Sequence, residues 1–444
     1  MSHEAQSSGS QSQRRYRGIA TAGASALVAK LCALLAGAAT VPITVRYLGA
    51  ESYGIWMTIA STVTMFFVLD IGISSTLTNL ISAAYAHDDR ELARDYFATA
   101  LWILVGVAAG LGLIAWLMWP HLDWSAILNI HSPKLVHETS AAVAAALAVF
   151  LLALPMNLVS RVLAGYQELH YANLFQATGS ILSLGAVISV VYFHGSLPWL
   201  VVGYAGASLV ANFACMVWMC LIRKPWMKPM PQYVRSGYIG KIFSSGTQFF
   251  AVQVAGLVVF SSDNLIIAHY LSPAQVTPYA VTWRLVGYIA ALQTLIFPAL
   301  WPAYSEAWER KDTVWIRKAY SHLRRSTIVM LVLGCGLILL AGRGIIRIWA
   351  GPSAVPPMRL VGLMCVWIVI YAFTTNQSCL MGATSRVGKQ AISSSLAAVA
   401  NLGLSIYWVR NLGSVGVLLA TVTSYLVFVI IVQVYEVRNI LHGV

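Results

Sequence analysis

Charge is scarce in this chain. Of its 444 residues, 10% are Asp, Glu, Lys or Arg, against roughly 25% in an ordinary soluble domain. A water-exposed globular surface cannot be assembled from so few charges. Acidic residues are rarer still, 15 against 28 basic, and the one adjacent acidic pair, Asp88-Asp89, reads as a solvated turn. Paired-carboxylate catalysis therefore has little to build on. The six cysteines (Cys32, Cys215, Cys220, Cys335, Cys365 and Cys379) all fall inside apolar stretches. They lack metal-ligand spacing and read as small packing residues. No nucleophile motif and no phosphate-cradling glycine loop occurs. Large outer loops are lacking as well, the longest being about Pro120–Glu138 and Ala341–Pro356. A membrane glycosyltransferase or polymerase, which needs a larger outer loop with catalytic carboxylates or arginines, fits poorly.

What the chain has is apolar length. Hydrophobic residues make up 59%, gathered into about twelve stretches, each near the ~20 residues that cross ~30 Å of hydrocarbon. They lie near Gly18–Val45, Tyr53–Ala83, Tyr96–Trp119, Ser140–Leu163, Ala172–Phe193, Trp199–Leu221, Ile242–Ala268, Tyr279–Tyr304, Val314–Leu340, Pro357–Leu380, Gln390–Val409 and Gly413–Tyr435. Backbone groups in lipid must bond within their own segment, and these runs are too long and continuous for alternating barrel strands. The expected fold is thus an all-α polytopic membrane protein. Basic residues concentrate on the connectors that share a side with Arg14, Arg15 and Arg17, a bias that sets both termini in the cytoplasm. The net charge of +13 then reads as attraction to membrane lipid, with no nucleic-acid partner. Residues 1–17 form a polar, disordered cytoplasmic N-terminus. The small-residue stretch Ala36–Thr40 resembles a cleavage site superficially. Lys30 interrupts the apolar run before it, however, so the first helix is expected to be retained.

The Pro-rich, basic connector 222–241 divides the spans into two sets of six. An N-terminal lobe of 18–221, a cytoplasmic linker of 222–241, a C-terminal lobe of 242–437 and a cytoplasmic tail of 438–444 follow. The two sets look alike: Tyr47-Leu48 recurs as Tyr270-Leu271, and Asp89…Arg94 recurs at the same interval as Asp312…Arg317. The second span could break at Gly72 and the eighth at Pro298 and Pro302. An even number of spans per set makes the repeats parallel, related by an axis along the membrane normal. Transporters of this kind hold substrate in a central cavity between the lobes and rock one lobe against the other.

At these motifs the chain resembles the polysaccharide-transporter branch of the multidrug/oligosaccharidyl-lipid/polysaccharide flippase superfamily. The carrying segments are Arg46-Tyr47-Leu48-Gly49…Tyr53-Gly54-Ile55-Trp56, Leu69-Asp70-Ile71-Gly72-Ile73-Ser74, Ser262-Asp263-Asn264-Leu265-Ile266-Ile267 and Pro302-Ala303-Tyr304-Ser305-Glu306-Ala307. The likeness extends from Gly18 onward. It implies a flippase, not an enzyme. Such a protein carries undecaprenyl-pyrophosphate-linked oligosaccharide repeat units from the cytoplasmic to the periplasmic leaflet of a bacterial inner membrane. The product serves O-antigen, capsule or exopolysaccharide assembly, with polysaccharide polymerase and chain-length proteins as partners. A cation- or proton-coupled multidrug exporter of the same fold is the alternative.

Lowering the cost of moving a glycan and a pyrophosphate through hydrocarbon calls for polar groups and a cation inside the membrane. Ionisable residues there are expensive, at least ~2.5–3.5 kcal/mol each, so they are the first candidates. Lys30, deep in the first span, reads as a cavity cation for the pyrophosphate, with an ion pair or a snorkelling residue as other readings. Asp263 and Arg284 sit at matching depth on adjacent spans, as a plain ion pair or as a gate in which pyrophosphate competes for Arg284. Asp70 beside Gly72 could form a cytoplasmic gate with Arg161, or keep local bonds at a helix break. Asn157, Gln248, Gln253 and Asn376 are candidate sugar-binding residues of the cavity wall, though such side chains also glue helices together. No cofactor or metal is expected. Asp70 or Asp263 could carry a proton or bind Na⁺.

Overall fold

A computed structural model gives the backbone of residues 2–66, 73–130, 132–244, 261–309, 311–384, 386 and 388–442, with side chains from Gly23 onward apart from a few helix positions. Asp70, Gly72, Gln248 and Gln253 lie outside the described residues. The fold is all-α: the described residues contain no strand, and nine of their helices are long and apolar enough to span a membrane.

The first expected span and the start of the second share one element, and the rest of the second falls on a separate helix. Helix α1 (Ser2–Phe66) bends sharply at Gly49, whose φ of 74° and ψ of 175° leave the helical region. Glycine reaches that conformation without the Cβ penalty, which explains the Leu48-Gly49 motif. Gly54 has a different reason for being glycine: a Cβ there would stand 1.7 Å from the carbonyl oxygen of Pro273. After α2 (Ile73–Ala86) the chain makes a turn and enters α3 (Arg90–Met118). Asp88 takes a positive φ of 52°, and the Asp89 carboxylate caps the new helix by accepting the Leu92 N–H at 2.9 Å. The second half repeats this device. Lys311 has φ 58°, and Asp312 caps α13 (Thr313–Trp349) by accepting the Trp315 N–H at 2.9 Å. The Asp89/Asp312 match in the sequence is therefore one helix-start motif used twice.

The expected fourth span is broken. Past the short α4 (Trp124–Leu128), α5 (Pro133–Met156) ends just after Pro155, and α6 (Leu158–Gly165) restarts after Asn157. A proline inside the run removes one ladder bond, which explains a break at this depth. The remaining helices of the first half are α7 (Leu169–Tyr192) and α8 (Leu197–Trp218). They pack as a hairpin through small residues: a Cβ on Gly179 would meet that of Ala211 at 2.9 Å. Ser183 donates to the Tyr204 carbonyl at 2.8 Å in the same seam. The second half comprises residues 261–270 (α10), α11 (Pro273–Gln293), α12 (Phe297–Glu309), α13, α14 (Met358–Ala383), α15 (Gly388–Leu412), α16 (Ser414–Ser424) and α17 (Ile431–His442). Its counterpart of the α7–α8 seam lies between α15 and α16, where Asn401 donates to Thr421 Oγ1 at 2.9 Å.

Two compact units emerge. Unit 1 holds Met1–Thr40, Phe67–Asp123 and Ser140–Phe250; unit 2 holds Val41–Phe66, Trp124–Thr139 and Ala251–Val444. The outer segments of the first half, including the second limb of α1, thus belong with the second half. The core of unit 1 is built on Leu77, Ile81, Phe97, Leu104, Val162 and Met219. Tyr304, Ile316, Leu380 and Ile440 anchor a core of unit 2. The basic connector, expected to be a linker, is a strap fastened to unit 1, and it passes into the short α9 (Ser236–Ser244). Met227 is fully buried and Trp102 donates to the Pro229 carbonyl at 3.1 Å. Arg235 pairs with Asp95 at 3.3 Å and also donates its backbone N–H to Thr99.

Candidate functional site

The charged residues expected inside the second half converge on one cavity of about 290 Å³ within unit 2. Its wall comes from the second limb of α1 (Met57, Ser61, Thr64), from α10 (Asp263, Asn264) and from α11 (Tyr279, Trp283, Arg284). The site forms there because α10 and α11 run back to back across a tight turn. Ser272 is extended and Pro273 opens α11. Proline suits the first helical position, where its missing N–H has no intrahelical partner to lose. Span eight therefore begins at Pro273 rather than Tyr279, which puts Arg284 more than one turn deeper than the sequence depth count gave. At the level of Asp263 the facing residue is Tyr279.

Asp263 is 3% exposed. Its Oδ2 accepts a short hydrogen bond from the Tyr279 hydroxyl, and its Oδ1 has no hydrogen-bond partner. No ion pair to Arg284 occurs among those of the described residues; the two charged groups share the cavity wall instead. A buried carboxylate without a cation partner is costly, and a hydroxyl donor offsets part of that cost. The α1 wall is tied in by polar bonds: Asn264 donates to Ser61 Oγ at 3.3 Å, and Thr58 donates to the Asn264 carbonyl at 3.5 Å. Further toward that turn, Thr277 donates to the Ala50 carbonyl, and Asn129 donates to the Leu271 carbonyl at 2.9 Å. One flank of the cavity is aromatic. Trp283 stacks on Tyr279 at 6.0 Å and 20°, and on Trp367 of α14 at 6.0 Å and 19°. The arrangement offers a cation, a carboxylate, hydroxyls, an amide and an indole face in one chamber whose wall is otherwise apolar.

The other expected site residues are elsewhere. Lys30 is half-buried on the first limb of α1, in unit 1. Asn157 sits at the break between α5 and α6 and accepts from Asn212 of α8 at 3.0 Å, a bond between helices. Arg161 is exposed on α6; its expected partner Asp70 lies outside the described residues, as do Gln248 and Gln253. Asn376 is 1% exposed and joins three helices. It accepts from Gln293 at 2.6 Å and donates to Thr327 at 3.0 Å. Tyr279, Trp283, Asn264 and Ser61 were not singled out from the sequence. The signal for Tyr279 is its place just across the short turn from Asp263. Depth alone does not say which helix face meets which.

A chain whose described residues are helical without a strand, nine of the helices long and apolar enough to span a membrane, defines the class, that of polytopic membrane proteins. Solved structures agree at the level of fold. A multidrug resistance transporter of the MATE family, inward-facing, superposes with a TM-score of 0.78 at 15% identity, covering 94% of this chain and 98% of that one. The outward-facing form of a MATE-family transporter gives 0.64 over 96% of each chain. The lipid II flippase MurJ, inward closed, gives 0.72 at 13% identity over 93% and 87%.

The chain belongs to the polysaccharide biosynthesis protein family, whose model matches residues 20–308. A candidate O-antigen transporter of Salmonella typhi is 24% identical over 267 residues, 60% of each chain. One of Salmonella typhimurium is 33% identical over 72 residues, 16% of each. The chain thus spans 60% and 16% of the length of these two relatives.

Proposed function

We propose that the protein is a flippase. It carries a polyprenyl-pyrophosphate-linked oligosaccharide from the cytoplasmic to the periplasmic leaflet of a bacterial inner membrane, with both termini in the cytoplasm. The observation that carries this reading is the placement of Arg284 on the wall of a chamber that also presents hydroxyl, amide and indole groups. An intramembrane cation suits a pyrophosphate, and the polar and aromatic wall suits a sugar. Family membership and the O-antigen names of the relatives support the same substrate class. Alternating access fits the composition of unit 2. Gly54, Ser61 and Ala50 of the first half meet Pro273, Asn264 and Thr277 of the second. A transporter that opens outward would have to part those contacts. Lys30 is the second candidate cation. Asp263 is the candidate for coupling to H⁺ or Na⁺.

A deletion strain complemented with wild type, Arg284→Ala or Lys30→Ala tests this, with the pool of undecaprenyl-linked oligosaccharide as the readout. Wild type should clear the cytoplasmic-side pool and Arg284→Ala should leave it high at equal protein level. An unchanged pool in the deletion strain, with heightened sensitivity to cationic drugs, would replace this substrate by a drug. The buried, cation-free Asp263 is the observation that favours that second reading. Normal clearance by Lys30→Ala would remove Lys30 from the mechanism.

A further inference from the structure

A second cavity, of about 340 Å³, opens in unit 1 where three connectors meet at one end of the helices, the end that the basic residues assign to the cytoplasm. These connectors are the turn before α3, the turn between α6 and α7, and the start of the strap. At roughly 30 Å³ per water it has room for about ten waters, enough for a small phosphate ester. The connectors bring three cations together: Arg90, Arg223 and Lys224. Glu168 holds two of them. Arg223 Nη2 lies 2.8 Å from its Oε1. Lys224 Nζ lies 3.1 Å from Oε2, at ion-pair distance though off the hydrogen-bond axis.

Lys224 is 9% exposed, and its ammonium stands 3.9 Å over the Tyr166 ring. Burial holds its pKa below the ordinary lysine value, with Glu168 opposing that shift. Arg90 sits 5.9 Å over the Trp226 ring and has no ion pair among those of the described residues. The two remaining carboxylates are at the rim. Asp89 is engaged in capping α3, and Asp88 is exposed in the left-handed turn. The lining carries as many carboxylates as cations, but two cations share Glu168 and Arg90, exposed at the mouth, has no carboxylate at ion-pair distance among the described residues.

We propose that this pocket is a binding site for a phosphate ester, with Arg90 and Lys224 as the gripping cations and Glu168 as the counter-ion that holds Arg223 aside. Basic pockets at the cytoplasmic ends of membrane helices suit phosphorylated head groups. Arg90 offers a planar fork to two phosphate oxygens and Lys224 a point charge to a third. Tyr85 and Trp226 at the same pocket fit an interfacial position. The phosphate could belong to a phospholipid of the inner leaflet or to a soluble ester. This site is independent of the chamber in unit 2 and of the flippase reading.

Native mass spectrometry of the full-length protein in detergent, titrated separately with phosphatidylglycerol and with glycerol 3-phosphate, tests the proposal. Wild type should retain at least one of the two, and loss of a charge-assisted contact in Arg90→Gln should weaken it by roughly tenfold or more. Arg90→Lys should recover part of that loss, which a purely structural arginine would not require. Binding of the lipid alone assigns the source to the leaflet, and binding of both probes assigns it to the phosphate itself. Arg90 makes no ion pair, so the folded state of its variants keeps the test readable. Binding of neither probe, or equal binding by wild type and Arg90→Gln, overturns the proposal.

Discussion

The two cavities are similar in volume and opposite in construction. In the unit 1 pocket the buried charge is arranged as ion pairs: Glu168 reaches both Arg223 and Lys224. In the unit 2 chamber Asp263 and Arg284 share a wall, yet the carboxylate is bonded to a tyrosine. The difference follows from where the segments lie. Near water, flexible connectors can bring several long basic side chains to one acid, and such pairs are worth little individually. Inside the membrane, rigid helices fix each group where its backbone puts it. One oxygen of the Asp263 carboxylate has no hydrogen-bond donor, on a wall it shares with Arg284. The first cavity gathers its cations around one shared acid, while the second holds its buried carboxylate on a tyrosine.

Changes at the rigid contacts of unit 2 should have the largest effects. Gly54→Val puts side-chain atoms where the Pro273 carbonyl stands, 1.7 Å from a Cβ. Backbone cannot yield as a side chain tip would, so a loss of about 3 kcal/mol or more is expected in the state with this contact. Loss of complementation, with more outer-side cysteine labelling in Gly54→Val than in wild type, would show that α1 has been pried from α11. Arg284→Ala should come next, lowering flux by roughly a hundredfold if the cation contributes a charge-assisted bond of about 3 kcal/mol to bound substrate. Arg284→Lys should keep part of the activity. Equal flux in Arg284→Ala and wild type would make the chamber a structural void.

Tyr279→Phe leaves both oxygens of Asp263 without a donor and should cost about 1–3 kcal/mol in thermal unfolding. Asp263→Asn keeps an acceptor for the tyrosine and should cost less. A larger loss from Asp263→Asn than from Tyr279→Phe would mean that the carboxylate's charge, rather than its bond, is what the site holds. Asn376→Leu, which breaks the bonds to Gln293 and Thr327, should cost roughly 0.6–2 kcal/mol and leave substrate affinity alone. The smallest effect belongs to the strap. Arg235 is mostly exposed, so Arg235→Ala should shift stability by about 1 kcal/mol or less, and less again in high salt.

Much of this was legible in the residue order. Long apolar runs forced helices, and the repeat Asp89/Asp312 turned out to be one capping turn used in both halves. Gly49 and Gly54 stood in a recognisable motif, and each has a steric reason for lacking a Cβ. The site was read less fully. Asp263 and Arg284 do line one cavity, but not at the matching depth the count predicts, because span eight starts at Pro273 rather than Tyr279. Tyr279, Trp283 and Ser61 were missed, because which faces meet depends on how helices rotate about their axes. Asn157 and Asn376, candidate sugar ligands by polarity, make bonds to neighbouring helices. Polarity inside a membrane helix is shared by ligand sites and by helix seams, and only packing separates the two.

The sequence by itself determined the solvent of this protein and therefore its secondary structure. A chain this apolar, with this few charges, satisfies its backbone in lipid only as helices. Tertiary structure alone decided the groupings. The outer limb of the first half joins the second half, the basic connector becomes a strap on unit 1, and a carboxylate chooses a tyrosine over an arginine. Those choices rest on side-chain geometry at contacts between residues far apart in the chain, which periodicity along one helix cannot encode.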